Sequence, residues 1–238
     1  MIYEIGKTYL KIGDSDLKST GVEETRILQI GISGNLNNSK WSSPKTFDFY
    51  SIKGILESLF SELKIDGRIQ YQTAKDINYL HSGKSAQAVL LGKQPMVLAT
   101  LGELHPNHKN KFKLNQDVYL AEINLDLLLN IINNSTVKFK NLPQFPAVYR
   151  DMAFILPDFV AHQDISKVIK KASGKLFKSC DIFDVYKGEH VKEGYKSLAY
   201  RIQLQDENLT LTDEIVDKEI AEIKAGLKKT YTEIEFRE

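Results

Sequence analysis

The sequence predicts an α+β protein of two domains, and the second domain has the clearer plan. Between Phe145 and Glu238, extended runs and amphipathic helices alternate as strand, helix, strand, strand, helix, strand. The four extended runs are VYRDMAFIL (148–156), LFKSCDIFDVYKG (176–188), KSLAYRIQLQ (196–205) and TEIEF (232–236). That order is the ferredoxin-like βαββαβ plan, in which the helices cover one face of the sheet and leave the other open. The length of 238 residues leaves room for another domain before it.

Both helices of the second half carry an apolar stripe at helical spacing. The first stripe is Ile165, Val168, Ile169 and Ala172, and the second is Val216, Ile220, Ile223 and Leu227. The last helix begins after Thr212, a good N-cap, and Asp213 and Glu214 suit the positive end of its dipole. Leu211 and Val216 are spaced as a hydrophobic staple, so this helix is well specified.

The first half mixes strands with at least one strong helix. Residues 27–34 read as a strand and 35–44 as a polar loop. Asp48 is then the predicted N-cap of a helix whose apolar stripe is Ile52, Ile55, Leu56, Leu59, Phe60 and Leu63. The segments AVLLG and MVLATLG flank residues 93–95 and predict a hairpin.

The first domain is predicted to end soon after a second helix. Residues 125–132 (LDLLLNII) form that helix, which Asn133 and Asn134 terminate. The stretch NLPQFPAV follows, and its two prolines punctuate the chain. We therefore place the domains at residues 1–141 and 142–238.

Composition indicates a soluble globular protein. Hydrophobic residues make up 42% and charged residues 26%, which are ordinary values, and no apolar run is long enough to span a membrane. The first ten residues carry a glutamate and a glycine where a secretory signal would be apolar. A single cysteine, Cys180, excludes an internal disulfide framework and fits a reducing cytoplasm.

Period-two alternation assigns each strand residue of the second domain to one face of the sheet. The core face is predicted to hold Leu198, Tyr200, Ile202 and Leu204, with Met152, Phe154 and Leu156, and with Phe183 and Val185. The opposite, open face is predicted to hold Tyr195, Ser197, Ala199, Arg201 and Gln203, with Ile182, Asp184 and Tyr186, and with Asp151, Ala153 and Ile155. Tyrosine can stack on an unpaired base, and serine and aspartate can bind base edges. The same alternation is also typical of an ordinary solvent-facing sheet.

Charge argues against strong electrostatic binding of a polyanion. The whole chain has a net charge of +1, and residues 146–238 contain 15 Lys and Arg against 17 Asp and Glu. A nucleic acid on the second domain would therefore need other sources of affinity.

No catalytic constellation stands out in the sequence. Gly83-Lys84-Ser85 resembles the end of a phosphate-binding loop, but Asn78 occupies the position of the required first glycine. The motif LHPNH lacks the frame of a zinc site, so turn histidines are the better interpretation of His105 and His108. Cys180 has no clear basic neighbour, and a buried thiol is favoured over a nucleophile. Asp48 beside Tyr50, and Glu103 beside His105, could form acid–base pairs, but such neighbours are common by chance, and capping is the better interpretation of Asp48.

Several separated segments, in matching order, resemble one family. FPAVYRDMAFIL, CDIFDVYKG, KSLAYRIQLQ and LTLTDEIVDKEI resemble the ferredoxin-fold anticodon-binding domain that closes the β subunit of bacterial phenylalanyl-tRNA synthetase. Upstream, YEIGKTYL, the IGISGN–W loop, TFDFYSIKGILESLF, LHSGKSA, LGELHPNH and VYLAEINLDLL resemble the later part of the synthetase-like module of that subunit. The resemblance implies that residues 1–141 form a partial class II synthetase-like module with an antiparallel sheet.

The resemblance implies a part in the ATP-dependent charging of tRNA-Phe by a cytoplasmic enzyme of two α and two β subunits. In that family the α subunit holds the active site, so ATP and magnesium are expected there and no cofactor, metal or catalytic residue is expected in this chain. The expected partners are the α subunit, tRNA-Phe and a second β subunit, with no membrane. The sequence agrees, since residues 1–145 contain only Arg26 and Arg68, and neither is set in an ATP-binding arginine motif. The first domain is therefore expected to be a scaffold and an interface with the α subunit.

Carried over by motif, the resemblance makes the FDVY and KSLA strands the anticodon-facing surface. Asp184, Tyr186 and Ser197 are the first predicted contacts, and Ala199 and Arg201 are their neighbours. Tyr186 is expected to stack on an anticodon base while Asp184 and Ser197 read its edge.

Two alternatives and one departure from the family remain. A ferredoxin-like domain could instead bind a small effector or a protein, and the first half could hold enzyme chemistry of its own if a deep pocket gathered carboxylates or histidines there. Bacterial β subunits are about three times longer than this chain, so we expect a C-terminal piece whose Met1 is internal or introduced, and which neither edits nor aminoacylates alone.

Overall fold

The computed structural model describes residues 1–11, 21–36, 43–134 and 143–237. The chain divides into two compact units, Met1–Lys138 and Phe139–Glu238. The boundary predicted between residues 141 and 142, and most of the polar loop predicted at 35–44, lie outside the described residues.

The first unit is built on a six-stranded antiparallel sheet. Its strands are β1 (Ile2–Lys11), β2 (Val22–Ser33), β3 (Ile69–Thr73), β4 (Leu80–Leu90), β5 (Met96–Leu104) and β6 (Val118–Asn124). Their order across the sheet is β1-β2-β6-β5-β4-β3. The predicted strand at 27–34 is therefore the second half of β2, and the predicted hairpin is the pair β4 and β5.

Helices α1 (Phe49–Glu62) and α3 (Leu125–Asn133) pack against this sheet. The short helix α2 (Pro106–Lys111) has no buried residue, and a 3-10 turn lies at Asp66–Arg68. Asp48 caps α1 as predicted, because its carboxylate accepts the backbone N–H of Ser51 at 2.7 Å. Ile52, Leu56 and Phe60 then lie buried against the sheet. Helix α3 ends at Asn133, as predicted from the two asparagines.

The second unit has the predicted ferredoxin-like topology. Its elements are β7 (Val148–Pro157), α4 (His162–Ala172), β8 (Phe177–Tyr186), β9 (Tyr195–Leu204), α5 (Asp213–Thr230) and β10 (Glu235–Arg237). The four strands pair antiparallel in the order β10-β7-β9-β8. The last strand is shorter and starts later than the predicted run at 232–236.

One hydrophobic core joins the two helices to one face of this sheet. It contains Phe154, Tyr200 and Ile202 from the strands, with Ile165 and Ile169 from α4. The N-cap position of α5 is Thr212, as predicted, and the staple residues Leu211 and Val216 are both buried in the same core. Among the described residues of the whole chain, no helix is long and apolar enough to cross a membrane.

Candidate nucleic-acid interface

The predicted site residues lie together on the open face of the second sheet. Asp184 pairs directly with Ala199, and Tyr186 pairs with Ser197. Opposite residues of an antiparallel pair point to the same side of the sheet. Arg201 lies two residues from Ala199, and the residues between these positions, Leu198 and Tyr200, belong to the core. All five predicted residues therefore share the face that α4 and α5 do not cover.

A β-bulge in β8 overturns part of the predicted face assignment. The register passes from Ile182 opposite Tyr200 to Asp184 opposite Ala199, so β8 has one extra residue at Phe183. Ile182 consequently packs against the core instead of lying on the open face. Phe183, predicted in the core, is 56% exposed. The prediction was wrong because strict period-two alternation cannot continue through a bulge.

Val185 lies on the predicted core face of the sheet but is not buried there. Beyond the bulge it lies opposite the core residue Leu198, yet its side chain is 55% exposed. The cause is its place near the end of β8, which is the edge strand of the sheet. The β8 side chains that pack against the core, Phe177, Cys180 and Ile182, come earlier in that strand.

Arg201 is held by a carboxylate that the sequence prediction did not pair with it. Its Nε and Nη2 atoms donate to Oδ1 and Oδ2 of Asp151, both at 2.8 Å. The guanidinium hydrogen bond holds the pKa of the Asp151 carboxyl below its usual range. The Arg201 guanidinium carbon also lies 5.4 Å from the centre of the Phe183 ring. The charge of Arg201 is therefore compensated by Asp151, and its guanidinium packs against the Phe183 ring. Arg201 is not a free cation that could bind a phosphate.

Tyr186 is positioned by a glycine that follows its strand. Its ring and hydroxyl lie against Gly188 so closely that a Cβ at position 188 would collide with them. The Tyr186 side chain remains 38% exposed, whereas the paired Ser197 is only 7% exposed. Because a buried serine offers little surface to a ligand, Tyr186 and the exposed Asp184 form the accessible part of this pair of strands.

The charge around these residues is more negative than positive. Asp151 and Asp181 lie directly opposite Arg201 on its two neighbouring strands, and Asp184 lies on the same face. A polyanion gains affinity where cations neutralise its phosphates. The cations here are Arg201, which Asp151 compensates, and the exposed Arg237, which lies opposite Ala153 on β10. The arrangement is suited to stacking and to hydrogen bonding of base edges.

In the first unit, the rejected phosphate-loop motif lies inside strand β4. Lys84 Nζ is 2.6 Å from Oε2 of Glu103, and Glu103 is buried. Glu103 is therefore engaged by a lysine, which argues against an acid–base pair with His105. The arrangement stabilises two adjacent strands and assembles no phosphate cradle.

An open pocket of about 670 Å³ lies beside these strands, and its lining includes His105, His108 and Asp76. The Nδ1 atom of His105 accepts the backbone N–H of Asn107 at 3.2 Å and so caps α2. This is the turn role predicted for that histidine. Within the described ranges of the chain, no group of three or more His, Cys, Asp or Glu is arranged to hold a metal ion.

Cys180 is a free cysteine, partly buried on the core side of β8. Burial raises the pKa of its thiol. A thiol with a raised pKa is a poor nucleophile at neutral pH, which agrees with the predicted structural role.

Comparison with known families matches both units. Residues 1–125 match the model described as "Phenylalanyl tRNA synthetase beta chain CLM domain". Residues 143–235 match "Ferredoxin-fold anticodon binding domain", the fold that the strand order displays.

Curated relatives with the name phenylalanine–tRNA ligase beta subunit match most of the chain. The protein of Clostridium acetobutylicum is 36% identical over 217 residues, which are 91% of this chain and 25% of the relative. That of Streptococcus agalactiae is 32% identical over 235 residues, 98% of this chain and 28% of the relative. That of Bacillus subtilis is 31% identical over 231 residues, with shares of 97% and 28%. The chain thus spans about a quarter of the length of the curated relatives it matches.

Proposed function

Since the chain belongs to the phenylalanyl-tRNA synthetase β-chain family, we propose that its second unit contacts the anticodon of tRNA-Phe. The contact surface is the open face of β8 and β9. Asp184, Tyr186, Ala199 and Arg201 are its more accessible residues, and Ser197, which pairs with Tyr186, is largely buried in it. Through this contact the chain serves the ATP-dependent charging of tRNA-Phe. The anticodon is proposed as the ligand because residues 143–235 match the model of an anticodon-binding domain.

One observation carries the proposal. The exposed carboxylate of Asp184 and the exposed ring of Tyr186 lie on one uncovered sheet face, beside the small side chain of Ala199. A flat surface of small residues lets a base approach the sheet, where a ring can stack on it and a carboxylate can accept its N–H groups. Arg201 supports this surface, and it is compensated by Asp151.

The first unit is proposed to be a scaffold and the interface with an α subunit. Strand β1 is exposed along its whole length and lies at the edge of the sheet. Its large apolar side chains are between 59% and 76% exposed, namely Ile2, Tyr3, Ile5, Tyr9 and Leu10. An edge strand with such side chains is a surface that another polypeptide can cover.

ATP and magnesium are proposed to bind in the α subunit of a cytoplasmic enzyme with two α and two β subunits. Arg26 supports this division of labour, because its Nε lies 2.6 Å from Oδ1 of Asp126 and its backbone N–H donates to the same carboxylate. A guanidinium bound in this way is not presented to a nucleotide. The chain itself is proposed to supply no catalytic residue.

The proposal is tested by titrating the 238-residue chain with tRNA-Phe and with tRNA-Phe that lacks its anticodon arm. We expect binding of the complete tRNA and a marked loss with the truncated one. Equal binding of both RNAs, or no binding at high protein concentration, would contradict the proposal. That outcome would favour a ferredoxin-like module that binds a small effector or a protein.

A further inference from the structure

We propose that Phe183 is a second base-stacking residue on the open face, held in place by the Arg201–Asp151 ion pair. The inference rests on the proposed function, because it takes the ligand of this face to be the anticodon loop of a tRNA. It adds a residue that period-two alternation had assigned to the core.

The first support is the exposure of the Phe183 ring. Phe183 lies at the bulge of β8, and 56% of its side chain is exposed. Bulges commonly redirect a side chain next to a functional site. Ile182 lies on the core side, so position 183 falls on the open side, and the extra residue lets Asp184 share that side with it. The bulge therefore brings an exposed aromatic ring and a carboxylate together on the face that carries Arg201.

The second support is the way in which the ring is held. The guanidinium of Arg201 lies 5.4 Å from the ring centre, within the range of a cation–π contact. The guanidinium is itself fixed by two hydrogen bonds of 2.8 Å to Asp151 on the next strand. Because the Arg201 guanidinium is fixed at two points, it restricts the motion of the Phe183 ring that packs against it. Less conformational entropy is then lost when a base stacks on the ring.

The third support is the position of Phe183 relative to Tyr186. The two aromatic residues are three positions apart on β8, and because the bulge takes up one of these positions they are about two strand repeats, or about 7 Å, apart along the strand. Between them the sheet surface is formed by Ala153 and Ala199, which pair directly with each other, and Asp184 pairs with Ala199 from the other side. Two neighbouring unpaired bases could stack on the two aromatic rings and lie over the alanine methyl groups, where the Asp184 carboxylate can accept a hydrogen bond from a base edge.

The local charge favours stacking as the main contribution of Phe183. Asp181 and Asp151 flank Arg201 on both sides, so this part of the open face attracts phosphates weakly. Stacking on an aromatic ring is tolerant of base identity and needs no net positive charge. We therefore expect Phe183 to add affinity, while Asp184 contributes selectivity.

The test uses the 238-residue chain with tRNA-Phe and compares Phe183→Leu with wild type. Leucine keeps an apolar side chain at the bulge but removes the π face, and we expect binding about 5- to 150-fold weaker, as for the loss of one stacked base. Phe183→Trp should bind at least as well as wild type. The matched control is Phe112→Leu, since Phe112 is 64% exposed in the first unit, and this variant should bind normally.

A second measurement asks whether the ring meets a base. Each anticodon-loop nucleotide is replaced in turn by an abasic one, and the effect of Phe183→Leu is measured on each RNA. At one position the loss of the base should abolish the effect of the substitution. An equal effect on every RNA would overturn the inference and indicate an indirect role for the ring.

The results separate this inference from the proposed function. Weaker binding by Tyr186→Ala together with unchanged binding by Phe183→Leu would overturn only the role of Phe183. Wild-type binding that does not depend on the anticodon arm would contradict the proposed function itself. If Phe183→Leu instead weakened capture of a protein while RNA binding stayed unchanged, the open face around Phe183 would belong to a protein interface and the inference would fail.

Discussion

Arg201 and Asp151 lie directly opposite each other on β9 and β7, and the guanidinium reaches both carboxylate oxygens at 2.8 Å. Because of this pair, Arg201 is not a free positive charge on the open face. Its guanidinium instead supports the ring of Phe183. The open face should therefore recognise bases more than it attracts phosphates.

Release of this cation should change how RNA binding depends on salt. Asp151→Asn removes the compensating charge, so we expect tighter tRNA binding at low salt and a steeper loss of affinity as salt rises. Each added phosphate contact should steepen the logarithmic salt slope by about 0.7. The matched control is Asp181→Asn, which removes an equal charge directly opposite Arg201. Identical slopes for the two variants would mean that the Asp151 bond does not restrain Arg201.

Gly188 should matter although it has no side chain to offer a ligand. A Cβ at this position would collide with the ring and hydroxyl of Tyr186, so Gly188→Ala should displace the ring and weaken tRNA-Phe binding by up to about 1–3 kcal/mol. The measurement is a tRNA titration of the single variant and of the same substitution in a Tyr186→Ala background. The glycine substitution should have no further effect in that background. An equal additional loss there would show that Gly188 acts independently of Tyr186.

Two helical glycines should respond oppositely to alanine. At Gly226 in α5 a Cβ would lie 2.9 Å from the Cβ of Ala172 in α4, whereas at Gly54 in α1 it would meet nothing within 4 Å. Alanine gains about 1 kcal/mol of helix propensity at either site, but overpacking of this kind costs about 1–3 kcal/mol. Urea unfolding should therefore show Gly54→Ala stabilised and Gly226→Ala destabilised. Adding Ala172→Gly should restore Gly226→Ala, and failure to do so would exclude this helix contact as the cause.

Stability should fall under alkaline conditions because of half-buried Tyr79. Burial, with a contribution from Glu122, raises the pKa of Tyr79 to about 12. In the unfolded chain the tyrosine pKa is about 10, so the unfolded state loses this proton first and stability declines as pH rises from about 10 to about 12. The free energy of unfolding should fall by about 1 kcal/mol over this range. This is less than the pKa shift of Tyr79 alone would give, because Tyr79 is only half-buried and solvent screens its charge.

The measurement for Tyr79 is the free energy of unfolding in urea at about pH 9 and about pH 11. Tyr79→Phe should lose less stability between the two values than wild type loses. Tyr50→Phe is the control, since Tyr50 is 74% exposed. An unchanged alkaline loss in Tyr79→Phe would argue that other groups cause it.

Elements with one apolar stripe and a cap were predictable from sequence. The capping aspartate and the buried stripe defined α1, and the staple and stripe defined α5. Strand β6 was missed because apolar residues lie on both of its faces, with Tyr119 buried and Leu120 half-exposed, so no clear alternation appears. Strand β1 was missed for the opposite reason, since every residue in it is exposed.

The candidate site was predictable in its position and not in its internal arrangement. The family motif and the alternation of β9 located Ser197, Ala199 and Arg201 on one face. The Arg201–Asp151 pair depends on the register of strands that are 50 residues apart in the sequence, which local patterns do not encode. The bulge was equally hidden, because the residues IFDVY alternate plausibly in either register, and only the pairing with β9 decides where the extra residue lies.

The most direct test of anticodon contact is the behaviour of Tyr186→Ala in the assembled enzyme of α and β subunits. We predict that the efficiency of tRNA-Phe charging falls about 5- to 150-fold, as expected for the loss of one stacked base, while the rate of phenylalanyl-adenylate formation is unchanged. Tyr186→Phe, which keeps the ring, should charge nearly normally. Unchanged tRNA kinetics in Tyr186→Ala would contradict the assignment of this face to the anticodon.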